Sequence, residues 1–512
     1  MFNNLAFKLD HYLSMLTKSN PDEIQSFLSD ASYMREGHAE QVVLPESAEE
    51  ISEVLARANR DRIPVTISGA GTGTVGGRVA FGGIVLATDK LDRITNIVQV
   101  GDGGYATAEA GVVLSDLQRA VESEGLLYPP DPTERGCFIG GNVATNASGA
   151  RTFKYGPTRR YVERLKMVLA GGEILELNRG HLHAEQGKLS IPLNSGRVIE
   201  ASLPSYQMPQ TRKNATGYFV APDVDVIDLF IGSEGTLGVV VEIQVRLLQK
   251  PQGLLSGVVF FEKEADVLSF VATARERSLF NRETNNVKGL DARALEFFDS
   301  ESLKFLRQKY PNVPEGAAGA IFFEQETSVD SEDSLLNEWM TMLDAHQAMS
   351  DSWFATNEHD QAKLREFRHQ LPVLMNEWFA KYQQKKVSTD MSVPDAAFPG
   401  MFELYSATLK TSGLRYTIFG HIGDNHVHLN ILPRDDVEGA RARELYVKFL
   451  KHVALIGGTL SAEHGVGKLK RDYLKLFYTD DQLRSMARLK LAFDPHGILG
   501  RGNIFSEELL SG

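Results

Sequence analysis

Three segments crowded with glycine and other small residues stand in the first half of the chain, and they constrain its fold more than any other feature. The first is Gly69-Ala70-Gly71-Thr72-Gly73-Thr74-Val75-Gly76-Gly77. The second is Ile139-Gly140-Gly141-Asn142-Val143-Ala144-Thr145-Asn146-Ala147-Ser148-Gly149, and the third Ile231-Gly232-Ser233-Glu234-Gly235-Thr236-Leu237-Gly238. Glycine costs conformational entropy unless a positive φ or a close approach requires it, so this density is poorly explained by ordinary turns. Around the first segment, 64–68 reads as a β-branched strand and 83–88 as another. Gly71, Gly73 and Gly76 thus match G-x-G-x-x-G after a strand, with Asp89 or Asp92 where that motif wants its ribose acid. The motif's mechanism, however, needs its last glycine to open a helix whose N–H groups meet a pyrophosphate. The run 76–83 (Gly-Gly-Arg-Val-Ala-Phe-Gly-Gly) cannot start one. A strand–loop–strand segment can still offer successive backbone N–H groups to a diphosphate. The second segment follows Pro129-Pro130-Asp131-Pro132-Thr133 and precedes Lys154-Tyr155-Gly156. Its small and amide side chains suit a wall pressed on a large flat ligand.

The rest of the chain reads as soluble and multidomain. Its 512 residues leave room for two or three domains. The segment 45–58 has a Ser cap, early acids and apolar spacing of three and four, which predicts a helix. Short strands and helices alternate to about residue 249, with 129–156 read as a loop system. A new β pattern begins at 253–262, then 265–277 and 292–309 read as helices and 320–324 as a strand, so a boundary is expected near residue 250. The tail 440–503 reads as mostly helical, with amphipathic runs over 440–455 and 479–493. A net charge of −13 argues against nucleic acid as the main partner. The lone Cys137 excludes an internal disulfide, a cysteine-type zinc site and a self-contained iron–sulfur cluster. A chain like this that moves electrons must hand them to something else. The first twenty residues carry no charged leader and apolar run, and no apolar stretch is long enough to span a bilayer, so the expected location is the cytoplasm, with a peripheral membrane contact left open.

The most chemically loaded stretch is Gly420-His421-Ile422-Gly423-Asp424-Asn425-His426-Val427-His428-Leu429-Asn430-Ile431. Period two sets His426, His428 and Asn430 on one strand face and Val427, Leu429 and Ile431 on the other. Further on, Glu463 and His464 stand side by side in the glycine-lined loop 457–467. Any one of these histidines alone reads better as a hydrogen-bonded core group. Together, His421, His428 and Glu463 form a ligand set for a borderline divalent metal, zinc first, with manganese or iron as alternatives and His426 as an extra candidate. In 363–372, Arg365 and Arg368 fall on neighbouring sides of one helical turn; each is either a carboxylate anchor or part of a solvated charged face.

The order of these pieces, with Asn214-x-x-Gly217-Tyr218, resembles the vanillyl-alcohol oxidase superfamily, and over about 40–505 the FAD-linked D-2-hydroxyacid dehydrogenases, which include D-lactate, glycolate and D-2-hydroxyglutarate enzymes. The resemblance implies an α+β chain: an N-terminal helical segment (1–36), a PCMH-type FAD-binding domain (37–250), a substrate or cap domain on an antiparallel sheet (251–455) and a C-terminal helical segment completing the active site (456–512). It implies FAD held noncovalently, no histidine standing in the glycine loop to attach it, by Ser68, Gly69, Ala70, Gly71, Thr72, Gly73, Gly76, Pro130, Thr133, Gly140, Gly141, Asn142, Thr145, Asn146, Gly149, Tyr155, Gly235, Thr236 and Gly238. Ser68 stands where the family usually has arginine. The resemblance makes His421, His428 and Glu463 metal ligands, Asn430 and Arg368 substrate contacts with Arg365 second, and His464 the base. It implies a small 2-hydroxy acid, D-lactate-like first, oxidised to the 2-oxo acid. The electrons would pass to a quinone, an electron-transfer flavoprotein, a cytochrome or an iron–sulfur partner subunit, with a peripheral site at the inner membrane and a homodimer both compatible. Ser388 and Pro372 replace a lysine and a threonine of the D-2-hydroxyglutarate enzymes, which argues against copying dicarboxylate specificity, with Lys385 or Lys386 left as substitutes from a shifted position. Glycolate and D-2-hydroxyglutarate oxidation, direct reaction with oxygen, and a metal-dependent hydrolase without flavin are the alternative readings.

Overall fold

The helix expected over 45–58 forms as Ala48–Asp61. Ser47 sets its start by accepting the Glu50 N–H, and Glu49 and Glu50 sit in the first turn, where the helix dipole favours acids. Ile51, Val54, Leu55 and Ala58 form its fully buried stripe, which packs in one apolar cluster with Val65, Ile84 and Leu86 of the neighbouring sheet. Truncating Ile51 or Leu55 to alanine there would cost about 2–5 kcal/mol. The computed structural model describes residues 15–510. Residues 1–14 of the expected N-terminal helical segment lie outside the described residues; the remainder of that segment begins with the strand Leu16–Lys18 and only then forms the short helix Pro21–Ile24.

The described strands form sheets of four, six and seven strands and a separate hairpin. In the first sheet Leu16–Lys18, Gln41–Leu44, Ile84–Ala87 and Val65–Ser68 lie in that order, the last three mutually parallel. The second, antiparallel sheet is centred on Val239–Gln249, whose residues alternate buried and half-buried over almost its whole length, as one covered face requires. The chain then enters the seven-stranded antiparallel cap sheet: Trp353–Ala355, Gly253–Phe261, Gly319–Thr327, Ala292–Asp299, Tyr416–Gly420, His428–Ile431 and Val387–Ser388. Helices Glu264–Glu283, Glu358–Tyr382 and Phe398–Ser412 pack apolar faces against this half. No helix among the described residues is long and apolar enough to cross a membrane.

Two expectations are corrected. The stretch 292–309 is not one helix but the strand Ala292–Asp299 followed by the helix Ser300–Leu306. Every residue of that strand is buried between two neighbours, so both parities are occupied and period two is erased from the sequence. Its charged Arg293 and Glu296 imitate a helix's polar side but are buried in ion pairs. Asp299, accepting the Ser302 N–H at 2.8 Å, is the cap that divides the two elements. The second glycine-rich segment is likewise not all loop: Ile139–Thr145 and Thr152–Tyr155 are short helices. Gly140 lies where a Cβ would stand 2.7 Å from that of Ala110, so this glycine serves close helix packing.

The tail closes the molecule on the first glycine loop. Val65 N–H bonds Ile498 O, Gly500 N–H bonds Val65 O, and Lys468 N–H bonds Val75 O. Helices Asp436–Leu455 and Asp480–Phe493 form where amphipathic runs were expected, the latter on a Thr479–Gln482 capping box.

Candidate active site

Between the parallel strands Val65–Ser68 and Ile84–Ala87 the chain runs as a loop without a helix, as its sequence predicted. Its Gly69, Ala70, Gly71, Thr72 and Gly73 line one wall of a long cavity. Thr133, Gly140, Gly141, Asn142 and Thr145 line a second wall, and Gly235 and Gly238 a third. Added Cβ atoms at Gly69 and Gly73 would have no neighbour nearer than 3.8 Å, and at Gly141 none within 4 Å. These positions open onto free space that side chains would fill, as a cradle for a flat ligand requires. Asn142 accepts from the Cys137 thiol at 3.1 Å, while its Nδ2 has no partner. Cys137 is buried at the cavity edge and burial pushes its thiol up to about 12, which makes it an inert spacer.

The other expected cofactor residues stand behind these walls. Ser68 accepts from Arg78 Nη1 at 3.2 Å, and Gly76 packs on Met34. Pro130 O accepts from Gln118, Asn146 Oδ1 from the Arg159 N–H, and Tyr155 O from the Tyr161 hydroxyl. Gly149 O accepts from Lys213, and the Thr236 hydroxyl pairs with that of Tyr218. These seven hold the walls in shape and none lines the cavity.

At one end of the cavity lie His428, Glu463 and His464. Glu463 Oε2 is 3.2 Å from His421 Nε2 and 3.6 Å from His428 Nε2. A tetrahedral ion with bonds of about 2.1 Å sets its ligand atoms about 3.4 Å apart, so these donors fit a divalent cation. Each also has its second heteroatom tied. His421 Nδ1 lies 2.7 Å from Glu296 Oε1, and His428 Nδ1 3.1 Å from Thr389 O. Glu463 Oε1 accepts from Lys213 Nζ at 2.6 Å and from Ser148 Oγ at 2.9 Å. Burial disfavours the charged form of Glu463, but His421 and Lys213 outweigh it and hold the carboxyl well below its usual range. His426 belongs to the same cluster, with ligand atoms of all four residues within 4.8 Å of one another. Regular pairing begins only at His428, so His426 sits in the preceding turn. It is fully buried, with Nε2 3.2 Å from Asp390 and Nδ1 unpartnered 4.0 Å from Glu463 Oε1. Burial and then His428 lower its pKa to about 3, which keeps it neutral.

His464 stacks on His428 with ring planes 15° apart. Its Nδ1 lies 3.2 Å from Asp390 Oδ2, which also accepts from Lys470 and Ser461 at 2.7 Å each. Burial works against the Asp390 charge, but His464 and Lys470 prevail and hold it well below the carboxylate range. Asn430 lies deeper, fully buried, with its Oδ1 unpartnered and off the cavity wall. Arg368 is committed to Glu296 Oε2 through Nε at 3.0 Å and Nη2 at 2.9 Å. Arg365 is half-buried in the field of Arg151, Arg293 and Glu324, and no hydrogen bond from the described residues holds it.

Sequence reasoning missed Glu296, Lys213, Asp390 and Arg78. Glu296 was hidden by the helix reading of 292–309. Asp390 had a weak signal, a lone charge among small polar residues, and Lys213 stood beside Arg212, with nothing local to name the partner of either. Arg78 stood in plain view beside the glycine loop.

The chain matches two families of known proteins: one described as FAD binding domain over residues 39–178, the other as FAD linked oxidases, C-terminal domain, over 260–504. It is 30% identical over 511 residues to the D-lactate dehydrogenase of Anaerostipes hadrus, covering 94% of this chain and 93% of that one. It is 30% identical over 498 residues to the D-2-hydroxyglutarate dehydrogenase of Xanthomonas citri pv. viticola (95% and 94%), and 28% over 490 residues to glycolate oxidase subunit GlcD of Bacillus subtilis (94% and 92%). Among solved structures, alkyldihydroxyacetonephosphate synthase shares the fold, with a TM-score of 0.65 at 15% identity over 94% of this chain and 81% of that one.

Proposed function

The chain is a member of the FAD-linked oxidase family, and from that premise we propose that it oxidises D-2-hydroxy acids, D-lactate-like first, to 2-oxo acids with the help of a divalent metal. The observation that carries this reading is the opening of a His–His–Glu donor set, beside His464, into the end of a glycine-walled cavity. The glycines leave the cradle that FAD needs, and the donor spacing fits the metal. When bound, FAD supplies the two-electron acceptor, and a metal on His421, His428 and Glu463 supplies a Lewis acid for the substrate's oxygens.

The chain's own groups do the rest. His464 takes the proton of the substrate hydroxyl at Nε2, its free nitrogen, because Asp390 occupies Nδ1 and fixes the ring. Lys213 and Ser148 hold Glu463 by one oxygen, leaving the other turned to the imidazoles. Neither arginine lines the cavity; Arg365, with no hydrogen-bond partner among the described residues, is the freer of the two to anchor a carboxylate, since the fork of Arg368 is taken by Glu296. Position 372 is a proline inside a helix and position 388 a serine, so neither brings a cation for a second carboxylate. Electrons leave to an external acceptor, with the enzyme acting in the cytoplasm or peripherally at the inner membrane. The test is anaerobic mixing with D- and L-lactate, glycolate and D-2-hydroxyglutarate while the flavin spectrum is followed. Rapid bleaching by D-lactate and none by L-lactate is expected; a flavin that no 2-hydroxy acid reduces refutes the proposal.

A further inference from the structure

A dinucleotide cofactor brings a diphosphate, and the charges on the cavity wall are poorly suited to receive one. Asp30, Glu134, Glu234 and Glu463 all line the cavity. Against these four carboxylates, Arg78 is the one arginine or lysine among the described lining residues. Burial outweighs every other influence on Glu234 and raises it to about 7, which eases one of the four charges only in part.

Arg78 is placed for this task. The loop 69–77 folds back over its guanidinium so closely that a Cβ on Gly71 would stand 2.4 Å from Arg78 Cζ. Gly71 has φ +80°, so a side chain there is excluded twice over, by the backbone and by the arginine. The guanidinium donates to Gly69 O at 2.7 Å, Ser68 Oγ at 3.2 Å, Ser29 O at 2.8 Å and Ser26 O at 2.6 Å. All four acceptors are neutral, and no carboxylate forms an ion pair with it among the described residues. Burial lowers its pKa, and Asp30 and Asp89 act on it only at longer range, without a hydrogen bond or ion pair. A cation held against a glycine loop by neutral acceptors, and lining the same cavity, keeps its field for a ligand bound there.

We propose that Arg78 is the counter-charge for the cofactor's diphosphate: the loop's backbone N–H groups meet the phosphate oxygens and the guanidinium beneath them balances the charge. The competing role is purely mechanical, a staple tying residues 26–29 to the loop through the same hydrogen bonds.

The experiment separates the two roles by binding alone, with no turnover, so a wrong substrate assignment leaves it standing. The purified protein is stripped of flavin and titrated with FAD and with riboflavin, which lacks the diphosphate, following flavin fluorescence. Arg78→Gln is expected to weaken FAD about 10- to 100-fold, the effect of removing one unit charge from beside a diphosphate, and to leave riboflavin unchanged. Arg78→Lys, which keeps the charge, should recover most of the FAD affinity. Adding salt should weaken FAD binding to the wild type more steeply than to Arg78→Gln. Equal FAD affinity in Arg78→Gln overturns the proposal. So does an equal loss of FAD and riboflavin affinity, which would mark a staple, as would Arg78→Lys binding FAD no better than Arg78→Gln. Should Arg78→Gln not fold, the lysine variant and the wild-type salt dependence decide: salt-independent FAD binding also overturns it.

Discussion

Glu296→Gln isolates what holds the proposed metal set in place. Glu296 is 2% exposed, on the central cap strand, with one oxygen toward His421 Nδ1 and the other on the Arg368 fork. Burial opposes its charge, but Arg368 and His421 prevail and bring its pKa to about 2, so it is ionised at any working pH. Glutamine keeps the shape but has one acceptor oxygen and one NH2. If that oxygen stays on Arg368, the NH2 faces His421 Nδ1. The ring must then carry its proton on Nε2, the nitrogen a metal needs bare. Loss of such a carboxylate–histidine contact costs about 10- to 100-fold in metal affinity, or about 1.4–2.7 kcal/mol. The measurement is the dissociation constant for zinc by competition with a chromophoric chelator, alongside the melting temperature. Glu324→Gln is the control: it takes the same charge from an equally buried arginine pair, with Arg293, and touches no histidine. Both variants should melt lower and only Glu296→Gln should lose metal. Unchanged zinc affinity in Glu296→Gln, or the same loss in Glu324→Gln, refutes the reasoning.

His464→Ala should keep its flavin spectrum and be reduced by substrate about 100-fold or more slowly, as loss of a general base implies; stopped-flow reduction at the wild-type rate would remove His464 from that role. Asp390→Asn should also slow reduction, by at least about 10-fold, while FAD content stays constant, because the ring loses its orienting charge; an unaltered rate counts against the Asp–His pair. Glu463→Gln should lower the metal-to-protein ratio found by elemental analysis, and an unchanged ratio excludes Glu463 as a ligand. Away from the site, burial lifts Asp299 from 3.8 to about 7. The folded state therefore holds this proton more tightly than the unfolded chain. That contribution to stability is complete below the unfolded pKa and is lost as pH rises through about 7, by about 1.4 kcal/mol between about pH 6 and pH 8. Asp299→Asn keeps the cap and should remove that share of the pH dependence of urea unfolding; an identical pH dependence in the variant contradicts it.

The amphipathic helices were legible because each has one wet side: Ala48–Asp61 and Asp480–Phe493 sit within a few residues of where capping and periodicity placed them. The central cap strand was not, because burial on both faces removes the alternation that marks a strand. The histidines and Glu463 could be read from their clustering, but their supports could not. His421 and Glu296 are 125 residues apart, and Lys213 and Glu463 are 250 apart, distances over which no local pattern carries information. The glycine walls were legible as a group, but not the task of each glycine. Gly141 faces open space, Gly140 lines the cavity and also packs closely on Ala110, and Gly149 lies where a Cβ would meet Asp131 O at 2.1 Å.

The same geometry bears on the choice between the proposed metal set and a group of core histidines satisfied by hydrogen bonds. A core histidine lowers its energy by pairing both ring nitrogens, since a buried unpaired nitrogen costs about 1–3 kcal/mol. His421, His428 and Glu463 each give one heteroatom to a partner outside the cluster and turn the other inward, toward one another and His426. Lys213 sharpens the point. A fully buried ammonium beside Glu463 could have been placed to satisfy both carboxylate oxygens, yet it and Ser148 hold Oε1 alone. Oε2 is left facing two imidazole nitrogens at tetrahedral-edge distances, with His426 Nδ1 unpaired nearby. These donors converge on one point, which is the arrangement that the proposed divalent cation would use.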